Sequence, residues 1–217
     1  MPRLFQIVCL LIFSLLLAYP QTEAPATVTF TLDFPASQPE HYSIRVQSDG
    51  SARYQSSGRL SADSDETDSF DLAFTVAPET RQRIFDLTAK AGFFQKDVDS
   101  HHKVAFTGKK TLTYGDAHRR GESTYNYSSN PAVQDLTNLF QSLSATLEFG
   151  HRLQYDRQYQ KLALDEELKR MEEMARDNSL VDVAAIQPIL DQIIADPSVI
   201  NVTRARAQRL LERAGAH

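Results

Sequence analysis

From Thr27 to Phe34 the chain alternates strictly: Val28, Phe30, Leu32 and Phe34 fall on one side, and Thr27, Thr29, Thr31 and Asp33 on the other. A period of two is the geometry of a β-strand, whose successive side chains point to opposite faces. Tyr42, Ile44 and Val46 repeat the pattern, and Ser48-Asp49-Gly50 then predicts a tight hairpin into a return strand through Tyr54. Glycine accepts the positive φ that such a turn requires. Phe70, Leu72, Phe74 and Val76 form another one-sided strand. Leu112 with Tyr114, and Tyr125 with Tyr127, predict two more, joined by the polar stretch 115–121. Strands buried on both faces read as continuous apolar runs, so this alternation belongs to an antiparallel sheet with one dry and one solvated face.

A dry face needs cover, and two segments have the period to provide it. Pro78 suits the first turn of a helix running to about Ala91, with Ile84, Leu87 and Ala91 on one side, Gly92 as its end and Phe93-Phe94 tucked beneath. Asn130 is a good N-cap with Pro131 behind it, and Val133, Leu136, Phe140, Leu143 and Leu147 follow at steps of three and four. That stripe predicts packing on the sheet; a dimerisation seam is the alternative. Gly150 reads as an interruption of the pattern. Residues 151–177 then interleave six Lys/Arg with seven Asp/Glu over a thin apolar stripe of Tyr155, Tyr159, Leu162, Leu164, Leu168 and Met171. This predicts a solvated helix supported by side-chain pairs. Ser179 and Asp182 are spaced like a capping box ahead of Val183, Ile186, Leu190 and Ile193, a helix that Pro188 should kink or split. A last helix over about 202–214 carries Arg204, Arg206, Arg209 and Arg213, read as a solvated basic face rather than a patch for anionic lipid or an acidic partner.

The expected fold is therefore α+β: an antiparallel sheet with one face covered by two helices, followed by an all-α C-terminal extension. The division is 1–24 as a signal peptide, 25–149 as the sheet domain and 150–217 as the helical extension, with the sheet domain expected to fold without the extension.

Composition changes the picture in two ways. Across 217 residues, 23 Lys+Arg against 28 Asp+Glu leave a net charge of −5, so no nucleic-acid partner is expected. The N-terminus has one positive charge at Arg3, an apolar run from Leu4 to Ala18, and small residues at Thr22 and Ala24. This predicts a secretory signal peptide cut after Ala24, with Ala18 as the competing site. A membrane span takes about 20 apolar residues, so membrane contact is expected only if the segment stays uncleaved. Removing it takes away Cys9, the one cysteine, and leaves an exported chain without disulfides, thiolate catalysis or cysteine-ligated metals. The expected location is the periplasm or the extracellular space. Asn126 and Asn201 head glycosylation sequons, which matter only in a eukaryotic secretory pathway.

Candidate chemistry is sparse. No nucleophile elbow, phosphate loop, dinucleotide fingerprint or His-Glu-x-x-His occurs. His101-His102, with Asp97 and Asp99, reads as a solvated loop rather than a metal site. Asp63 to Asp68 begins like a calcium loop, but Asp68 stands where glycine is needed and Phe74 where a bidentate Glu is needed, so it reads as an acidic connection. Tyr114, Tyr125 and Tyr127 fall on the dry face and read as core. No catalytic, cofactor-binding or metal-ligating residue is assigned, and no cofactor is expected. Residues Ile44 to Gly50, then Tyr54 and Gly58, then Ala91 to Phe94, then Thr111 to Tyr114 resemble a family of uncharacterised exported bacterial α+β domains over about residues 40–148. The resemblance implies a small sheet-plus-helix domain and transfers no catalytic residue. The function expected is that of an exported, non-enzymatic interaction protein with protein partners in the cell envelope, using the sheet edge and the helical tail. The alternative is a hydrolase with a carboxylate or histidine site assembled from distant strands. N-terminal sequencing of the processed protein should start at or near Pro25; a full-length chain held in membranes would identify residues 4–18 as an anchor.

Overall fold

The computed structural model describes residues 24–35, 37–59, 67–177 and 179–215. All but the last residue of the expected signal peptide, and residues Asp63 to Glu66 of the acidic connection, lie outside the described residues. Strands β1 (Thr27–Asp33), β2 (His41–Gln47), β3 (Ser51–Arg59), β4 (Thr67–Thr75), β5 (Lys109–Gly115) and β6 (Arg120–Tyr125) form one sheet in the order β4-β3-β2-β1-β5-β6, antiparallel throughout. The predicted alternation is its dry face: Phe30 opposes Ile44 on one side and Leu112 on the other, and Ile44 opposes Tyr54. All four are fully buried. Gly50 turns the β2–β3 hairpin at φ +97°, and the Asp49 carboxylate accepts from the Ser51 N–H at 2.8 Å.

Helices α1 (Pro78–Lys90) and α2 (Pro131–Tyr159) cover this face. Asn130 caps α2 through the Ala132 N–H at 3.0 Å. The stripe from Val133 to Leu147 is buried against the sheet rather than offered to a second copy. Polar contacts trace the course of α2 across the strands. Thr137 meets the Tyr125 hydroxyl of β6 at 2.5 Å, and Phe140 stacks on Phe30 of β1 at 5.2 Å. Ser144 meets the Tyr54 hydroxyl of β3 at 3.0 Å, and His151 stacks on Phe70 of β4 at 4.3 Å. The helix thus runs from one edge of the sheet to the other.

Gly150 does not interrupt it. The boundary read at 149/150 falls inside α2, and Gly150 is where Ile186 packs onto the helix: a Cβ there would lie 2.6 Å from Ile186 Cγ2. Glycine here serves close approach, not termination. Beyond α2 come α3 (Leu164–Arg176), a 3₁₀ turn (Val183–Ile186), α4 (Gln187–Ala195) and α5 (Asn201–Ala214). Their Leu168, Met171, Ile186, Leu190, Ile193 and Ala207 are fully buried in the same apolar cluster as the sheet residues. Pro188 splits the predicted helix by starting α4 after the 3₁₀ turn.

Several side chains differ from their expected places. Tyr127 falls after β6 ends and is 40% exposed, its hydroxyl accepting from Gln134. Tyr155, Tyr159 and Leu162 are exposed, because α2 has passed the sheet edge before it reaches them. Asp182 makes no cap for its own turn; it adopts φ +60° and its carboxylate accepts from the Ala77 N–H at 2.8 Å, at the start of α1. The basic face of α5 is partly spent on α3: Arg206 reaches Asp165 at 2.9 Å and Glu172 at 2.6 Å, and Arg209 reaches Glu172 at 2.9 Å. Phe70, Leu72 and Phe74 are only half-buried, because β4 is an edge strand. Among the described residues no helix is long and apolar enough to cross a membrane. A side chain at Gly150 must displace Ile186, so Gly150→Val should cost about 1–3 kcal/mol, the scale of overpacking a core. A thermal melt unchanged by that substitution would mean that the C-terminal helices do not bear on α2.

Candidate functional site

Where α2 passes under β3 and β4, alternation and helical period bring polar groups together. Ser56 and Asp68 follow the inward-facing sequence of their strands, and Glu148 and His151 stand three residues apart on the facing side of the helix. The Glu148 carboxylate accepts from the Tyr54 hydroxyl at 2.6 Å and from Ser56 Oγ at 2.7 Å. Its other oxygen lies 3.6 Å from His151 Nδ1, and His151 Nε2 lies 3.3 Å from Asp68 Oδ2. Phe70 stacks on the imidazole, their planes 7° apart.

The electrostatics of Glu148 are a contest. Burial pushes the carboxyl up, but His151, Tyr54 and Ser56 together outweigh burial and hold it below its ordinary value. The Tyr54 phenol is driven well above its ordinary range, by burial first and then by the charge and hydrogen bond of Glu148. Glu148 is therefore a carboxylate held by two donors, with the Tyr54 proton kept in place between them.

An open cleft of about 280 Å³ lies over this network, walled by Pro39, Gly58, Arg152, Tyr155 and Asp156. Asp68 leaves 43% of its side chain exposed there. Arg152 is spent on Glu167, with its guanidinium over the Phe149 ring at 4.5 Å. Asp156 is pushed above its ordinary value by burial and then by Glu167, with Arg152 opposing. Tyr155 is half-exposed at the rim, 5.0 Å from the ring of Tyr159.

Both imidazole nitrogens face carboxylates, and the buried serine hydroxyls nearby are engaged elsewhere, Ser56 on Glu148 and Ser144 on Tyr54, while the exposed Ser57 also lines the cleft. Nucleophilic catalysis needs a base nitrogen facing the group it activates. Among the described residues no group of three or more His, Cys, Asp or Glu side chains is placed to hold a metal ion.

The residues singled out from the sequence lie mostly elsewhere. His101 sits in an exposed loop with Nε2 at 2.9 Å from Asp97, and His102 is exposed without joining it. Backbone N–H donors hold Asp97 and Asp99 below the ordinary carboxylate range, Asp97 through the Asp99 N–H and Asp99 through the His101 N–H. Tyr114 and Tyr125 are core, the Tyr125 phenol being pushed up to about 12 by burial. Asn126 is tied into its loop, accepting from the Thr107 N–H at 2.9 Å and donating to the Ala105 carbonyl at 3.0 Å. Of the described candidate residues for chemistry, Asp68 reaches the cleft, where Tyr155 and Gly58, read only as structural, join it. Tyr54, Ser56, Glu148 and His151 are missed by motif reading. Their only sequence signal is polar residues at dry-face positions beside the α2 stripe.

No protein-family model matches the chain, and no curated protein matches it.

Because the Glu148 carboxyl is held below its unfolded value of about 4.3, it contributes stability that is fully present above that value and lost as pH falls through the folded one. Glu148→Ala should cost about 1–3 kcal/mol at pH 7, since it leaves the buried Tyr54 hydroxyl short of a partner. Glu148→Gln should flatten the fall in melting temperature between about pH 5 and 3. Acid melts that superimpose on the wild type would contradict the assignment.

Proposed function

We propose that the protein is exported and acts by binding a partner protein in the cell envelope or outside the cell, taking a cationic side chain of that partner into the cleft over His151. The N-terminal pattern of Arg3, a fifteen-residue apolar run and small residues supports export. One observation carries the binding reading: Glu148 and His151 at the floor of the cleft are closed on their neighbours, whereas Asp68, though it faces His151, keeps 43% of its side chain exposed beside Asp156 and the Tyr155 ring at the walls. Two carboxylates beside an aromatic face are the chemistry that receives an ammonium or guanidinium group. The histidine form of the hydrolase alternative needs an imidazole nitrogen turned toward a nucleophile, and here both nitrogens are turned toward acids; a carboxylate form would have to use the acids at the cleft walls.

NMR titration with the methylamide of Nα-acetyl-lysine should move the amide signals of residues 148–156, and its Nα-acetyl-glutamate counterpart should not. Asp68→Asn and Asp156→Asn should each weaken the lysine response about two- to fivefold, the scale of an exposed ion pair. Ester or glycoside turnover that is lost in His151→Ala would overturn the binding reading in favour of the hydrolase.

A further inference from the structure

The two edges of the sheet are treated differently. At the β6 edge the 3₁₀ turn Gly92–Phe94 lies against the strand, so close that a Cβ on Gly121 would meet the Phe93 carbonyl oxygen at 2.0 Å. At the β4 edge the 3₁₀ turn Val183–Ile186 comes near Leu72–Thr75, where Ala184 and Ala185 line a recess with the strand, but among the described residues nothing pairs with the strand's outer backbone. Among the described residues its nine residues pair with β3 alone, and no backbone hydrogen bond outside the β3 ladder ends on 67–75. Edge strands are ordinarily protected by charged side chains, lysine above all, by proline or by a bulge, and β4 carries two such charges, Asp68 and Asp71, both acidic. β4 contains no lysine or proline, and its register with β3 is unbroken from Ser51↔Thr75 to Arg59↔Thr67, so an acidic edge remains that a basic strand could pair with.

Below this edge, the crossing of α2 at Phe70 and His151 separates two recesses. One is the cleft at Asp68. The other, of about 480 Å³, lies between Leu72 and Phe74 of β4 and Pro188 and Ile189 of α4. Asp68, Phe70, Leu72 and Phe74 alternate along one face of the strand, so the recesses stand four residues apart, about 13 Å at ~3.3 Å per residue. A strand laid beside β4 has the same period. An inward side chain over the first recess meets Asp68, Asp156 and Tyr155, and one four residues away meets apolar walls.

We propose that the β4 edge is a strand-addition site for an extended segment of a partner protein that carries a lysine or arginine and, four residues before it, a large apolar residue. That order follows from antiparallel pairing, the more stable arrangement per residue. Charge selects the occupant. The acids beside the edge are Asp68 and Asp156, both partly buried, the exposed Asp191, and Asp71, which Arg53 already meets, while Arg152 is spent on Glu167 and His151 stands between two carboxylates. A second copy would bring the same acids against themselves, whereas a basic segment complements them. The proposal rests on the binding reading of the cleft and adds to it the backbone of the partner and the second recess.

The test uses a fluorescein-labelled peptide, acetyl-Thr-Thr-Leu-Thr-Thr-Thr-Lys-Thr-Thr-amide, with the full chain and fluorescence anisotropy. It should bind at least about tenfold more tightly than the lysine methylamide, and moving the lysine by one position should abolish that gain, because a one-residue slip turns the side chain to the other face. N-methylation of alternate peptide bonds should weaken binding about tenfold in one of the two alternating sets and leave it unchanged in the other, since only one set of N–H groups faces β4. Amides of 67–75 should gain hydrogen-exchange protection in the complex. Asp68→Lys should weaken the peptide about tenfold, with a thermal melt to confirm folding. If the lysine methylamide binds but the peptide gains nothing and N-methylation is silent in both sets, strand addition is overturned while the cleft reading stands. If neither ligand binds, both fall. If the free protein sediments as a dimer with 67–75 already protected, the occupant is a second copy and the proposal is overturned.

Discussion

The structure depends on one helix crossing one sheet. α2 is 29 residues long and crosses the dry face from β6 to β4, and α1, α3 and α4 pack on it, with α5 resting on α3 and α4. Burying a large apolar side chain stabilises by about 1.5–3 kcal/mol relative to leaving it exposed, and α2 supplies Val133, Leu136, Phe140, Leu143, Leu147 and Leu153 to a single cluster. Its buried polar residues are not concessions. Thr137 and Ser144 bond the hydroxyls of core tyrosines, and Thr146 donates to the Val181 carbonyl at 2.8 Å, beside the 3₁₀ turn that leads into α4. A buried hydroxyl without a partner is costly, so these bonds also set the register of the helix on the sheet.

The cleft is a by-product of where that helix leaves the sheet. As α2 passes the last strand it stops facing apolar residues and begins to face solvent, and at that margin Glu148 and His151 are half under the sheet and half open. There the low dielectric is enough to lift the Tyr54 phenol, yet Glu148 stays ionised because donors and an imidazole surround it. The charged helices behind it repeat this logic. Glu167 and Glu172 are buried, and each is met by arginines from another helix: Glu167 by Arg152, Glu172 by Arg206 and Arg209. Burying one without its arginines would leave an unpaired charge, so the pairs fix how the helices meet even where their net stabilisation is small.

Much of the architecture was legible along the chain, because it rests on local period and local capping. The strands, the turn at Gly50, the Pro78 and Asn130 helix starts and the Pro188 break each follow from a few adjacent residues whose backbone preferences agree. What misled was the reading of single residues by local chemistry alone. Gly150 is as good a stop signal as Gly92, and only the presence of Ile186 against it makes it a packing position instead. Asp182 has the spacing of a helix cap and serves a different helix 105 residues earlier. Tyr127 continues an alternation that the strand itself abandons at Tyr125.

The candidate site belonged to tertiary structure. Ser56 and Glu148 are 92 residues apart, and the one local hint is His151, a helical turn beyond Glu148. The sequence by itself determined that the front of the chain is a one-sided antiparallel sheet under amphipathic helices, because hydrophobic period is a property of short segments. Only the tertiary structure decided where α2 exits the sheet, and with it which carboxylates share an imidazole, which sheet edge stays open, and how the arginines of α5 are spent. Those outcomes depend on distances between segments, which no local pattern encodes.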